Sequence, residues 1–101
     1  MSTTISPGVL KALVDFTGET RVDLAIRLAL QEAARFKLEE LGGALRHFEQ
    51  KYQMEFSQFE QAFQNESLPQ ASSYEVERDF LEWEGLLSRK QRVEKVLGGL
   101  E

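Results

Sequence analysis

The stretch "ARFKLEELGGALRHFEQKY", residues 34–52, decides the fold. Ala34, Leu38, Leu41, Leu45, Phe48 and Tyr52 recur at alternating spacings of four and three. Such a seam packs one helix against another at a shallow angle, as in a coiled coil. Gly42 and Gly43 interrupt it, and each glycine costs about 1 kcal/mol relative to alanine in a helix interior. The seam keeps its phase across them, so the reading is one continuous or slightly kinked helix. Upstream, Val22, Leu24, Ile26, Leu28 and Leu30 crowd the first turns on more than one side, as in a helix buried by several neighbours. Thr20 is the expected cap, with Asp23 three residues on. From Arg21 to Tyr52 the helix would be about 48 Å long, against roughly 30 Å for a compact domain of this size. It therefore protrudes unless something covers it. The seam Leu38, Leu41, Leu45, Phe48 and Tyr52 is expected to be the contact of a homodimer or higher homo-oligomer.

Working outward, Met1 to Ser6 is polar and β-branched, which predicts a short N-terminal strand or extended arm. "SPGVLKALVDFTG" (6–18) predicts a short helix, with Ser6 as N-cap, Pro7 at its first position and Gly18 as its stop. After the seam, Phe56, Phe59 and Phe63 form the apolar edge of a short helix capped by Ser57. A polar loop around Pro69 leads to a last helix, capped by Ser72 or Ser73 and running to about Leu97, where Gly98-Gly99 is expected to end it. The expected fold is mostly α: a strand or arm, then helices forming a dimeric assembly. Residues 1–52 would be a dimerisation region containing the long helix, and residues 53–101 an acidic, aromatic-rich region for partner binding.

The last helix opens with "SSYEVERDFLEWEGLL" (72–87), in which five carboxylates share the chain with Tyr74, Phe80 and Trp83. Glu75, Asp79 and Glu82 fall on one helical face, and Val76, Phe80, Trp83 and Leu87 on another. A helical carboxylate metal centre wants inward glutamates with Glu-x-x-His motifs. The single histidine, His47, has Ala44 three residues before it. No metal, cofactor or catalysis is expected. Phosphate-binding loops are missing too, since the paired glycines lie within or after helices rather than between strand and helix. Tyr74, Glu75, Asp79, Phe80, Glu82 and Trp83 instead read as an acidic docking surface whose aromatic side is only partly covered, with large aromatics as anchors and carboxylates steering a basic protein. The alternative is a solvated acidic face beside a core stripe.

Composition bounds the rest. The chain has 101 residues and a net charge of −5, and between Met54 and Gly85 its only basic residue is Arg78. Strong binding of polyanions by the whole surface is excluded by that sign. There is no cysteine, hence no disulfide framework, thiolate metal site or thiol nucleophile. No apolar run approaches the roughly 20 residues of a membrane span, so the expected setting is the cytoplasm.

"TGETRVDLAIRLALQEA" (17–33), following "MSTTIS" and a short amphipathic helix, resembles the ribbon-helix-helix antitoxins of the VapB type. Thr3, Thr4 and Ile5 match the start of the pairing strand, Gly18 the interhelical turn, and Ala25, Ile26, Ala29 and Leu30 the inward positions of the second helix. The resemblance covers roughly residues 2–36. The stretch from Ile5 to Gly18 is about two residues shorter than the family's pattern, and the strand lacks a basic residue. The resemblance implies dimerisation, a small basic toxin as partner for the acidic C-terminal helices, and weak DNA contact by Thr4, Ser6 and Arg21. The competing expectation is a self-assembling structural or adaptor protein with neither toxin nor DNA.

Overall fold

The computed structural model describes residues 4–68 and 73–101. Four helices follow in order: α1 (Pro7–Thr17), α2 (Val22–Tyr52), α3 (Phe56–Gln64) and α4 (Tyr74–Leu100). Helix accounts for 83% of the described residues, and no strand occurs among them. The expected strand is therefore corrected: Thr4 to Ser6 are in no strand, while Met1 to Thr3 lie outside the described residues. A strand is stable only when its backbone groups find a ladder partner, which β-branched composition does not supply.

Local signals set most of the helix ends. The Ser6 hydroxyl accepts from the Val9 N–H at 3.3 Å, Pro7 begins α1, and Gly18 closes it at φ 73° with its N–H donating to the Val14 carbonyl at 2.7 Å. Gly18 takes the left-handed conformation that glycine adopts without a Cβ penalty. Ser73 caps α4 by accepting from the Val76 N–H at 3.2 Å; Ser72 lies outside the described residues. Other ends differ from expectation. The cap of α2 is Arg21, not Thr20, and it makes no side-chain capping bond. Glu55, not Ser57, caps α3, and the Gln58 side chain accepts from the Glu55 N–H at 3.1 Å. Gly98 and Gly99 sit inside α4, which continues to Leu100. There Gln31 Nε2 donates to the Leu100 carbonyl at 3.1 Å and Arg35 lies 3.7 Å from Glu101, so α2 holds the end of α4 in helical form.

α2 is continuous through Gly42 and Gly43 over its 31 residues. A side chain at Gly42 would meet only the flexible guanidinium of Arg46 at 3.4 Å, and one at Gly43 the same group at 3.9 Å. No second backbone approaches either glycine. Gly42→Ala and Gly43→Ala are each expected to stabilise the chain by about 1 kcal/mol, by restoring helix propensity. The midpoint of a urea transition measures this, and a lowered midpoint would contradict it.

α4 runs antiparallel to α2, with Lys51 beside Glu75 at one end and Gln31 beside Leu100 at the other. This corrects the reading of the seam. Leu41, Leu45 and Phe48 are buried within a single chain, and Leu38 and Tyr52 are half-buried. α4 covers the face that a second copy was expected to cover. Folding back within one chain, through a connection of 21 residues that includes α3, costs less entropy than associating two molecules, so the intramolecular partner wins.

The core is concentrated at the α3 end. Trp83 and Phe59 are fully buried, with Leu45, Phe48 and Val76 around them. At the other end α1 lies against α2, and no residue of α1 is buried. The molecule measures 57 × 28 × 22 Å, with a radius of gyration of 19.6 Å. A compact domain of this length has about 13 Å. It is a rod, closed by aromatic packing at one end and open at the other.

Candidate functional site

The C-terminal turn of α2 and the first turns of α4 meet in a polar cluster. Asp79 is 3% exposed, and its Oδ2 accepts from Lys51 Nζ at 2.6 Å and from the Tyr52 hydroxyl at 2.6 Å. Lys51 also donates to Glu75 Oε1 at 2.7 Å. Burial by itself would raise the Asp79 carboxyl, but the Lys51 and Tyr52 hydrogen bonds outweigh it and hold the group below its ordinary value. Burial, then the bond to Asp79, pushes the Tyr52 phenol up to about 12. The Asp79 and Glu75 hydrogen bonds raise Lys51 above its ordinary value. All three move away from neutrality, whereas general acid–base work needs a group poised near the working pH. The geometry is that of a clamp between two helices.

Beside the clamp runs a groove of about 570 Å³ whose walls include His47, Arg78, Asp79, Glu82 and Arg89. The His47 ring meets the edge of Phe48 with centroids 5.4 Å apart. Among the described residues no group of three acids and histidines is arranged to hold a metal ion. No described helix is long and apolar enough to cross a membrane.

The six residues expected to form a docking surface divide between two sides of α4. Trp83 is 1% exposed and stacks on Phe48 with centroids 5.6 Å apart, while Phe80 stacks on Phe63 at 4.7 Å. Trp83 and Asp79 therefore belong to the interior, which corrects the expectation for those two, while Phe80 packs half-buried against the core. α3, laid across the α2–α4 pair, brings Phe56 and Phe59 onto the Trp83 ring. Tyr74 and Glu82 remain exposed, and Glu75 is half-exposed while holding Lys51. Leu81, 67% exposed, lies seven residues from Tyr74 and shares its outward side. That spacing was present in the sequence, but the inward stripe outweighed it.

The residues proposed for DNA contact do not converge. Ser6 caps one end of α1, its hydroxyl engaged by Val9, and Arg21 lies beyond the other end, bonded to Glu19 at 2.7 Å. The intervening 11-residue helix alone spans about 16 Å. Thr4 is exposed next to Ser6.

The apolar stripe that Val9 and Phe16 form on α1 is left open, and so is Phe36 on α2, which the seam does not include. Phe16 is 66% exposed, Phe36 62% and Val9 56%. Between α2 and α4 at the same end, Leu30, Ala33, Val93 and Val96 line a groove of about 220 Å³ bordered by Lys37 and Arg92. Within α2 the signal was apolar residues lying off the phase of the seam, Phe36 among them. No family model, curated protein or solved structure matches this chain.

Proposed function

We propose that this chain is an interaction protein of the antitoxin kind, which associates with itself and binds a small basic partner protein. The supporting observation is the open end of the rod. Phe16 and Val9 on α1 and Phe36 midway along α2 stay more than half exposed, whereas Phe48, Phe59 and Trp83 at the α3 end are buried. Large apolar side chains left in water favour sites where a partner covers them. With Trp83 and Asp79 spent in the core and Phe80 packed against it, the acidic helix keeps its charge and Tyr74 as its one exposed aromatic. Apolar contact with the partner therefore passes to α1 and α2, while Glu77, Glu82 and Glu84 on the outside of α4 steer a positive surface.

The test is co-expression with an adjacent small, basic reading frame, followed by purification through a tag on this chain. A stoichiometric complex is expected. Phe16→Ser combined with Phe36→Ser should leave the helical circular dichroism intact, because both side chains are already exposed, and weaken capture at least about tenfold. Undiminished capture by that variant would overturn the assignment of the surface. The alternative, a self-assembling helical adaptor, draws support from the charge layout of α4, acidic over 75–84 and basic over 89–95. Its signature is a defined homo-oligomer that captures no such partner.

A further inference from the structure

We propose that two copies of this chain pair through the outward sides of their α4 helices, antiparallel about a two-fold axis at Gly85, with each Tyr74 seated in the other copy's apolar groove. The proposal rests on the reading of the chain as an interaction protein and names the surface and geometry of its self-contact.

Three features of α4 carry it. The first is a knob and a hole on the same helix. Tyr74 is 77% exposed at the start of α4, and the groove lined by Leu30, Ala33, Val93 and Val96 lies near its end. The 22 residues from Tyr74 to Val96 correspond to about 33 Å of helix, too far for Tyr74 to fill its own groove. The second is charge. In an antiparallel pair centred on Gly85, Tyr74 comes level with Val96 of the second copy and Glu75 with its Lys95, and Glu77 and Glu82 fall one residue from its Arg92 and Arg89. The acidic stretch of each helix thus lies along the basic stretch of the other, twice over, and Lys37 and Arg92 border the groove that would receive Tyr74 and its acidic neighbours. A parallel pair would set acid against acid and base against base, which is unfavourable. The third is the crossing point. A side chain at Gly85 would meet only the Arg89 guanidinium, at 3.9 Å, so the helix surface there is open to a close neighbour. Leu81, 67% exposed, flanks the crossing and would be covered from both directions.

A helix that is self-complementary in charge and shape under a two-fold axis fits a second copy of itself better than an unrelated chain, because one surface supplies both halves of every contact. Tyrosine is also a residue type that anchors interfaces.

The experiment uses the full chain alone. Light scattering at micromolar concentration should give twice the monomer mass. Tyr74→Ser with Leu81→Asp should raise the dissociation constant at least about tenfold while leaving the helical spectrum unchanged. Charge reversal by Glu77→Arg with Glu82→Arg should likewise yield monomer, and adding Arg89→Glu with Arg92→Glu should restore the dimer. The chain has no cysteine of its own, so Gly85→Cys should oxidise to a cross-linked dimer, whereas Leu81→Cys, displaced about 12 Å from its counterpart, should not. A monomeric wild type, a dimer indifferent to the charge reversal, or efficient cross-linking at Leu81→Cys would overturn the antiparallel pairing. Partner capture is scored separately: a Tyr74→Ser, Leu81→Asp monomer that still captures the basic partner supports the self-contact and the partner site as independent surfaces. A monomeric wild type that captures it sinks the self-contact alone.

Discussion

Trp83→Ala is expected to lower the stability of the chain by about 3–5 kcal/mol, the usual cost of deleting a buried indole. Trp83 is 1% exposed, and its ring contacts rings from α2 and α3: Phe48 at 5.6 Å and Tyr52 at 6.1 Å from α2, Phe59 at 5.0 Å and Phe56 at 5.4 Å from α3. Among the described residues no other part of the rod has a comparable cluster, so a cavity here cannot be closed by collapse from one side. Chains of this size have about 5–15 kcal/mol of total stability, and the variant is expected to sit at the edge of unfolding at 37 °C. A melting curve followed by circular dichroism should shift down by more than about 10 °C. Trp83→Phe should recover most of the loss, because a ring still fills the site. An unchanged melt with Trp83→Ala would mean that the indole faces a partner rather than the core.

The second large effect is expected at Asp79. Asp79→Ala leaves the Tyr52 hydroxyl without its acceptor and releases Lys51 to Glu75 and water, for a loss of about 1–3 kcal/mol. Lys51 is a third exposed, which keeps the cost below that of breaking a fully buried ion pair. The pH dependence follows from the directions of the shifts. The Asp79 carboxyl is held below its ordinary 3.8 by Lys51 and Tyr52 against the opposing effect of burial. Its contribution is therefore complete above that ordinary value and is lost as the pH falls through the lower, folded-state value. The Tyr52 phenol, raised by burial and by Asp79 from 10.0 to about 12, contributes fully below pH 10.0 and loses that contribution as the pH climbs through about 12. Denaturant melts at pH 7, at pH 3 and below, and near pH 11–12 should show stability lost at both extremes in the wild type. In Asp79→Asn the acid limb should be flatter. An acid limb identical in the two proteins would show that Asp79 is not clamped as described.

Some elements were legible in the sequence because their causes lie within about four residues of one another. Ser6, Pro7 and Gly18 bracket α1 by forming its own cap bonds and its left-handed stop. The seam from Ala34 to Tyr52 held its phase across Gly42 and Gly43, and α2 is unbroken there. Where the cause was distant, the reading failed. Gly98-Gly99 would end an isolated helix, yet Gln31 and Arg35, more than sixty residues upstream, hold the last turn of α4 in place.

By itself the sequence determined four helical segments and the face each must bury, since caps and a 3.6-residue period are properties of a short stretch of chain. What covers each face was decided only in the tertiary structure. The seam of α2 suits a second copy and α4 equally well by pattern, and the tethered helix took the place. The acidic stripe of α4 reads as surface by composition, yet Asp79 is buried because Lys51 and Tyr52 meet it from another helix. A carboxylate can leave water only where donors replace the hydration it gives up, and which donors arrive is a matter of how helices cross, not of the residues beside it in the chain.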